Sequence, residues 1–199
     1  MIKIYYFSAT GNSLYVAQYL QKNLAEVELL SIPRELRLKN FSVEADSVGF
    51  IFPLHYVGLP MLVEEFVREL QISANYIFAD RQLAQIAADI AGSEPHKSCE
   101  ILKDKCAQWH ADWVSRRAEL DEKFICDTSR CVKCGMCEKI CPVKNISRPN
   151  GSPVWNHRCV ECLGCLHVCP KKAIDIGEVT RGRKRYINWN VKPADLLNV

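Results

Sequence analysis

The sequence lacks the patterns that direct a chain out of the cytosol or into a membrane. Only four apolar residues follow Lys3 before the polar run 8–13 begins, which is too short for the core of a signal peptide. The longest uncharged run, 47–63, contains Pro53 and Pro60, and prolines disrupt the hydrogen bonds of a membrane-spanning helix. We therefore expect a cytoplasmic protein without a membrane span.

Motifs for nucleotide chemistry are also missing. There is no G-x-G-x-x-G dinucleotide fingerprint, and no lysine follows the polar run 8–13 as it would in a loop that binds a nucleoside triphosphate. Apart from His55, the histidines have no neighbours at ligand or catalytic spacing, and we interpret them as surface or core residues: His96, His110, His157 and His167. A reductase with a substrate of its own is therefore the least favoured class, and an electron carrier is favoured over a substrate-specific oxidoreductase.

Cysteine, in contrast, is abundant, with 11 residues against 3 methionines. Clustered thiols in a reducing cytosol indicate metal or redox sites rather than disulfides. Eight of the cysteines form the run C-x2-C-x2-C-x3-C-P twice, with a period of 28 residues. This spacing is typical of two [4Fe-4S] clusters in which the last cysteine of each run ligates the other cluster. It predicts one ligand set of Cys131, Cys134, Cys137 and Cys169 and a second of Cys159, Cys162, Cys165 and Cys141.

Zinc is the alternative reading of these cysteines. Structural zinc sites use C-x2-C pairs that close on a distant second pair, whereas here four cysteines and a proline occur together, twice. Cys126 lies just before the first run, and we interpret it as a structural residue. Gly135 and Gly164 lie inside the runs and suit a close approach of the backbone to the cluster sulfides.

The charge balance gives no reason to expect a nucleic-acid partner. The formal net charge of +3 counts each cysteine as neutral, and two loaded clusters would bring it to about −1. Near the end of the chain, Arg181–Arg185 holds four cations in five residues. Such a run is usually a solvated face, and docking of an acidic redox partner is the alternative.

The first 80 residues predict an α/β layer with a parallel sheet. Apolar and β-branched runs predict strands, and apolar residues at helical spacing predict helices. The predicted strands are 2–7, 27–31, 47–52 and 75–79, and the predicted helices in this part are 13–24 and 60–70. Further along, 81–91 and 94–120 also have helical patterns. The segment between the second and third strands gives no clear pattern.

Two loops follow predicted strands at the same edge of this sheet. The run 8–13 follows the first strand and opens a helix, and hydroxyls with backbone N–H groups in that position can bind a phosphate. An N-cap with a tight turn is the alternative for this run. The loop 53–60 follows the third strand. In a doubly wound sheet, two such loops flank the point where a ligand binds.

With these loops and the cysteine runs, the chain resembles flavodoxin–ferredoxin fusion proteins. Residues 1–79 look like a flavodoxin-type FMN domain, and residues 125–176 resemble bacterial two-cluster ferredoxins. The resemblance implies that the FMN phosphate would be held by Ser8, Thr10, Gly11, Asn12 and Ser13. It implies that the isoalloxazine ring would be lined by Leu54, His55 and Tyr56. A packed loop is the alternative for His55 and Tyr56.

The chain departs from this family after the fourth predicted strand. The glycine-containing third flavin loop and the fifth strand have no counterpart, since the sequence after Ala79 is already helical in pattern. We therefore expect a shortened flavodoxin-like parallel sheet of about four strands in 1–80 and a helical connector in 81–121. A small α+β ferredoxin-like domain with a basic tail is expected in 122–199.

These expectations lead to two functional hypotheses. The first is electron transfer through two [4Fe-4S] clusters, coupled to an FMN in the N-terminal part, with redox partner proteins and a place in anaerobic metabolism. The second is a plain two-cluster ferredoxin whose shortened N-terminal half binds no flavin and serves as a docking scaffold. The identity of the partner, the direction of electron flow and the oligomeric state do not follow from the sequence.

Overall fold

The computed structural model describes residues 1–55, 59–73 and 107–197. The elements of the first part are β1 (Ile2–Tyr6), α1 (Asn12–Asn23), β2 (Val27–Ser31), α2 (Ile32–Leu38), β3 (Ser42–Glu44), β4 (Ser47–Ile51), α3 (Met61–Glu69) and β5 (Gln71–Ser73). Residues 107–115 are helical, and a 3-10 turn follows at Arg117–Glu119. The remaining elements are β6 (Phe124–Cys126), α4 (Met136–Ile140), β7 (Ile146–Ser147), β8 (Val154–Trp155), α5 (Gly164–Val168), β9 (Ile174–Ile176) and α6 (Pro193–Leu196).

The first part contains the predicted parallel sheet, with strand order β2-β1-β4. Ile4 of the central strand is level with Leu29 on one side and Gly49 on the other. Tyr5 lies under α3, where its ring centroid is 5.0 Å from that of Phe66. The parallel α/β sheet is therefore confirmed with three strands, in the relative order of the first strands of 2-1-3-4-5 sheets.

The segment that had no clear sequence pattern contains α2 and β3. β3 pairs in parallel with β5, directly after α3, in a separate two-stranded ladder. The predicted strand 75–79, the predicted helix 81–91 and the first part of 94–120 lie outside the described residues. The helix that includes 107–115 ends five residues before the predicted position, because the chain tightens there into the 3-10 turn.

The cysteine-rich part is a small α+β unit. β6 pairs with β9 and β7 pairs with β8, both antiparallel, and the short helices α4 and α5 pack against each other. Its buried core includes Phe124, Ile140, Leu166 and Ile174. Among the described residues, no helix is long and apolar enough to cross a membrane.

The two parts share buried contacts. Leu14, in the first turn of α1, belongs to the core of the cysteine-rich unit. Val160, between two cluster cysteines, belongs to the core of the sheet together with Phe7 and Trp113. The Trp113 indole N–H also donates to the Glu161 carboxylate at 2.8 Å. The loops at the carboxyl end of the parallel sheet therefore lie directly against the cysteine-rich unit.

Neither interpretation of the basic run, as a solvated face or as a docking site, fits Arg185. The Arg185 side chain is 8% exposed and donates to the buried Asp175 carboxylate at 2.5 Å and to the Ile174 carbonyl at 2.8 Å. Burial raises the pKa of Asp175, but hydrogen bonds from Arg185, Thr180 and Arg130 outweigh this effect and hold the pKa below its usual value. Arg185 therefore holds the chain after β9 in place, because a buried carboxylate needs a charged partner.

Candidate metal centres

The first cysteine site is an open cavity of roughly 370 Å³. Its wall contains the four members of the first predicted ligand set, Cys131, Cys134, Cys137 and Cys169. Cys131 and Cys134 come from the loop that leads into α4, Cys137 lies in the first turn of α4, and Cys169 comes from the end of α5 in the other repeat. Cys134 is exposed and Cys131 is half-buried, so this cavity opens toward solvent.

Cys126 also lines the first cavity, although the sequence indicated only a structural role. It lies at the end of β6, level with Ile174 on β9. Burial raises the pKa of the Cys126 thiol to about 12, and its hydrogen bond with Cys131 adds to this rise. No sequence pattern identifies this fifth thiol, because it lies outside the repeated run.

The second cysteine site is a cavity of roughly 310 Å³ lined by residues of the cysteine-rich unit. The second predicted set lines it: Cys141, Cys159, Cys162 and Cys165. The remaining wall is mostly apolar and includes Phe124, Ile146 and Trp155. Burial raises the pKa of Cys159 and of Cys162 to about 12, and that of Cys165 well above its usual value. Because a metal site needs thiolates, loading this cavity must release protons.

The sequence period of 28 residues is repeated in the backbone. Positive φ angles occur in pairs separated by this period: Lys133 and Glu161, Gly135 and Leu163, Lys144 and Lys172. The backbone N–H of Asn145 donates to Cys141 Sγ at 3.1 Å, and the N–H of Ala173 donates to Cys169 Sγ at 3.3 Å. The two loops therefore present their cysteines and N–H groups in the same local conformation.

Gly135 and Gly164 play different roles in these loops. Gly135 has φ +76°, which favours glycine, and a Cβ there would also require the Arg148 guanidinium, 2.8 Å away, to shift. A Cβ on Gly164 would lie 3.3 Å from the Ile140 side chain and 3.8 Å from Ala9 in the N-terminal loop. A side chain on Gly164 would therefore be crowded by Ile140 within the cysteine-rich unit, whereas its contact with Ala9 would be an ordinary one.

The geometry of the cysteines disfavours zinc. Among the described residues, no group of three or more Cys, His, Asp or Glu side chains is arranged to hold a single metal ion. Each set of four thiols instead lines a cavity of its own, to which one repeat contributes three cysteines and the other repeat one. Four thiolates spread around such a space, with backbone N–H groups directed at sulfur, suit a [4Fe-4S] cluster.

One polar atom in the second cavity is left without a partner by the protein. The Trp155 indole N–H is buried and has no hydrogen-bond acceptor among the described residues. Burial raises the pKa of the neighbouring Cys165 thiol, and the nearby Trp155 indole opposes this rise although it does not reach hydrogen-bond geometry with the sulfur. A buried donor of this kind is costly unless it finds an acceptor, and the sulfur atoms of a bound cluster would supply one.

We expect Trp155→Phe to lower the reduction potential of one cluster by roughly 50 mV, because the N–H stabilises the more negative, reduced state. A redox titration followed by electron paramagnetic resonance measures both clusters in one sample. Trp189→Phe is the matched control, since Trp189 is 85% exposed. Equal potentials in the Trp155 variant and the unchanged protein would contradict this role.

Asn145 holds the two repeats together and was not identified from the sequence. Its side chain is buried, and its Nδ2 donates to the Asp121 carboxylate at 2.7 Å. Its Oδ1 accepts from the backbone N–H groups of Asn156 at 3.1 Å and Arg158 at 2.7 Å. Since Asn145 follows Cys141 and these two residues precede Cys159, it fixes two ligand-bearing segments relative to each other.

The predicted phosphate loop has an internal hydrogen bond of its own. The Gly11 N–H donates to Ser8 Oγ at 3.1 Å, and Gly11 has φ +96°, which favours glycine. Ser8 and Ser13 are buried. These features match the tight turn at the start of a helix that the sequence left as an alternative.

The C-terminal strap, which we define as residues 186–191, covers this loop. The Asn188 backbone N–H donates to the Thr10 carbonyl at 2.8 Å. The Asn188 side chain and the Tyr186 hydroxyl both donate to Oδ1 of Asn12, at 3.0 and 2.8 Å. The strap thus binds acceptor atoms of Thr10 and Asn12, two of the residues that the resemblance assigned to FMN.

The strap also leaves little space above the loop. An atom the size of a methyl group on Gly11 would lie 3.1 Å from the Cβ atoms of both Asn188 and Val191. Side chains of the same chain therefore pack against the Cα of Gly11, and the assignment of this loop to an FMN phosphate stays a prediction.

The residues predicted to line the isoalloxazine ring differ from one another in their exposure to solvent. Leu54 is 73% exposed. The His55 ring is half-buried between Phe7 and Trp113, with centroid distances of 6.2 and 5.8 Å, and burial lowers its pKa. Tyr56 lies outside the described residues. The FMN assignment of these residues stays a prediction.

The other histidines are bound by the protein where they are described. His110 contacts the Leu59 carbonyl at 2.9 Å, and His157 contacts the Asp121 carboxylate at 3.1 Å. His167 Nδ1 accepts the Tyr186 N–H at 3.0 Å. His96 lies outside the described residues.

Residues 130–174 match the family of 4Fe-4S dicluster domains. No curated protein and no solved structure matches the chain. The match covers both cysteine runs, and the protein therefore binds two [4Fe-4S] clusters. A dicluster domain transfers electrons through these clusters, so the protein acts together with redox partners.

Proposed function

We propose that the protein carries single electrons between redox partners through two [4Fe-4S] clusters, and that its N-terminal sheet is a scaffold without flavin. The observation that carries this proposal is the pair of cavities, each lined by three cysteines of one repeat and the last cysteine of the other. When bound, the clusters supply one-electron chemistry.

The proposed ligands are the two crossed sets. Cys131, Cys134, Cys137 and Cys169 would hold the cluster near solvent, and Cys141, Cys159, Cys162 and Cys165 would hold the cluster beside the sheet. Both sites have apolar walls, but the Trp155 N–H lies only at the second, whereas Cys134 of the first set is exposed. Because solvent exposure and hydrogen bonds set cluster potentials, we expect the two sites to differ in potential.

The scaffold role is supported by the contacts of loop 8–13. The strap occupies the loop, and Leu14 and Ala9 contact the cysteine-rich unit. These contacts would hold in place the part of the cysteine-rich unit that binds the second cluster. The domain limits 1–80, 81–121 and 122–199 and the cytoplasmic location remain part of this proposal.

Coupling to FMN is the second candidate. The position of His55 at the carboxyl end of the sheet, 5.8 Å from the ring centroid of Trp113, favours it, since Trp113 in turn contacts Glu161 of the second cluster loop. FMN binding in this form would require the strap to leave the loop.

Iron and flavin content distinguish the two candidates. The protein is purified without oxygen, reconstituted, and assayed for both in one sample, and we expect about eight iron atoms and no FMN per chain. About one FMN per chain would overturn the flavin-free scaffold. The variant Tyr186→Phe with Asn188→Ala loosens the strap, and flavin binding in this variant alone would identify the strap as the barrier.

A further inference from the structure

An open groove of roughly 760 Å³ lies between the N-terminal helices and the loop after Cys141. Its floor is apolar and consists of Pro33, Leu36, Leu62, Pro142 and Val143. Its charged residues are four cations and one anion: Arg37, Arg117, Lys144, Arg158 and Glu65. The cations come from four separate segments, so the sequence gives no sign of this basic groove.

The four cations are not neutralised within the described part of the chain. None of them forms an ion pair there. The side chain of Arg37 donates to the Pro33 carbonyl at 3.1 Å, and that of Arg158 donates to the Lys144 carbonyl at 3.0 Å. Backbone carbonyls orient these side chains but leave their positive charge in place.

The groove is next to the second cluster site. Pro142 lines both the groove and the cavity of Cys141, Cys159, Cys162 and Cys165. A molecule in the groove is therefore separated from that cavity by about one side chain. This position is suited to one-electron exchange with the cluster.

We propose that the basic groove docks an acidic face of a protein redox partner, which rests on the proposed function. The loaded cluster and its thiolates are anionic, so an acidic partner would be repelled from this side without an excess of cations. The half-buried side chains of Leu36 and Val143 supply apolar area beside the charged contacts. One electron passes between the cluster behind Pro142 and the partner's own centre, so that one is oxidised as the other is reduced, and no atom is transferred.

The test uses the full, cluster-loaded protein and an oxidised acidic flavodoxin as the probe. Binding is measured by calorimetry at about 20 mM and about 300 mM salt, because screening weakens exposed charge contacts. We expect Arg37→Glu with Arg117→Glu to weaken binding by at least about tenfold at low salt and to reduce the salt dependence. These residues are remote in sequence from the cysteines, and unchanged iron content shows that the variant is loaded.

The matched control is Arg183→Glu with Lys184→Glu, which reverses two exposed charges of the tail. We expect this control to change binding by less than about twofold. Equal weakening by both variants, or no weakening by the groove variant, would overturn the proposal. Displacement of the probe by millimolar phosphate would also overturn the proposal, because it would identify a small-anion site. Loss of self-association alone in the groove variant would overturn it too, because it would identify a second copy of the chain as the occupant.

Failure of this proposal can be distinguished from failure of the proposed function. A loaded protein that exchanges electrons at rates insensitive to the groove variant overturns the docking surface and leaves the electron carrier intact. A protein that cannot be loaded with two clusters overturns the proposed function itself.

Discussion

Cys169→Ala is expected to remove the cluster whose other three ligands lie in the first repeat, and to reduce the iron content from about eight to about four atoms per chain. Cys169 lines the cavity of Cys131, Cys134 and Cys137 although it is the last cysteine of the second run. Cys141→Ala is expected to have the same effect on iron content by removing the other cluster. Iron analysis and electron paramagnetic resonance of the reduced variants measure these losses.

Trp155 lines only the second of the two cavities. The effect of Trp155→Phe on the potential therefore identifies the cluster that remains in each variant. In the Cys169→Ala background, Trp155→Phe should still shift the potential of the cluster that remains. In the Cys141→Ala background, the same substitution should have no effect. The opposite pattern would show that each repeat holds its own cluster, without crossing.

Cys126 is the necessary control for these variants, because its thiol lies in the first cavity. A neighbouring thiol can replace a missing ligand, which would hide the loss of iron. We therefore expect Cys169→Ala with Cys126→Ser to lose the first cluster at least as completely as Cys169→Ala alone. Cys126→Ser by itself should keep both clusters.

Asn145→Ala is expected to destabilise the protein by about 4 kcal/mol. The substitution removes one partner of the buried Asp121 carboxylate and the acceptor of two backbone N–H groups, at Asn156 and Arg158. Each buried polar group left without a partner costs roughly 1–3 kcal/mol. Because clusters are lost on unfolding, the measurement is the rate at which the visible absorbance disappears in denaturant.

Two further variants serve as controls for Asn145→Ala, one expected to be milder and one expected to be at least as harmful. Ser147→Ala removes only a 3.3 Å hydrogen bond to Asn156 at the surface, and it should leave the rate of cluster loss nearly unchanged. Asn145→Asp keeps an acceptor but places a second carboxylate beside Asp121, so it should be at least as harmful as alanine. A stable Asn145→Ala protein would show that the two ligand-bearing segments are fixed by other contacts.

The cluster sites were predictable because most of the cysteines that form each site are close together in the sequence. Three cysteines of each set lie within seven residues, and the period of 28 is visible in the sequence itself. The strands of the parallel sheet were equally accessible, since buried strands such as β1 and β4 are short apolar runs. The dicluster match then supported the two clusters from the same residues.

The features that modify these sites could not be predicted, because they depend on contacts between distant residues. Trp155 and Asn145 are ordinary residues in the sequence and gain their roles from the cavity and from Asp121. The strap contacts loop 8–13 across a separation of 174 residues, between Tyr186 and Asn12. The sequence pattern predicted Arg185 as one member of a solvated run, whereas its side chain forms an ion pair with the buried Asp175.

The strap has a consequence for the order in which the protein is made. Ribosomes add roughly 5–20 residues per second, so the partner of Asn12 emerges on the order of ten to thirty seconds after it. During this interval the nascent sheet has an uncovered loop and no support from the cysteine-rich unit. Contacts of such long sequence separation slow folding, and the newly made N-terminal half must therefore wait until the strap has been made before its contacts are complete.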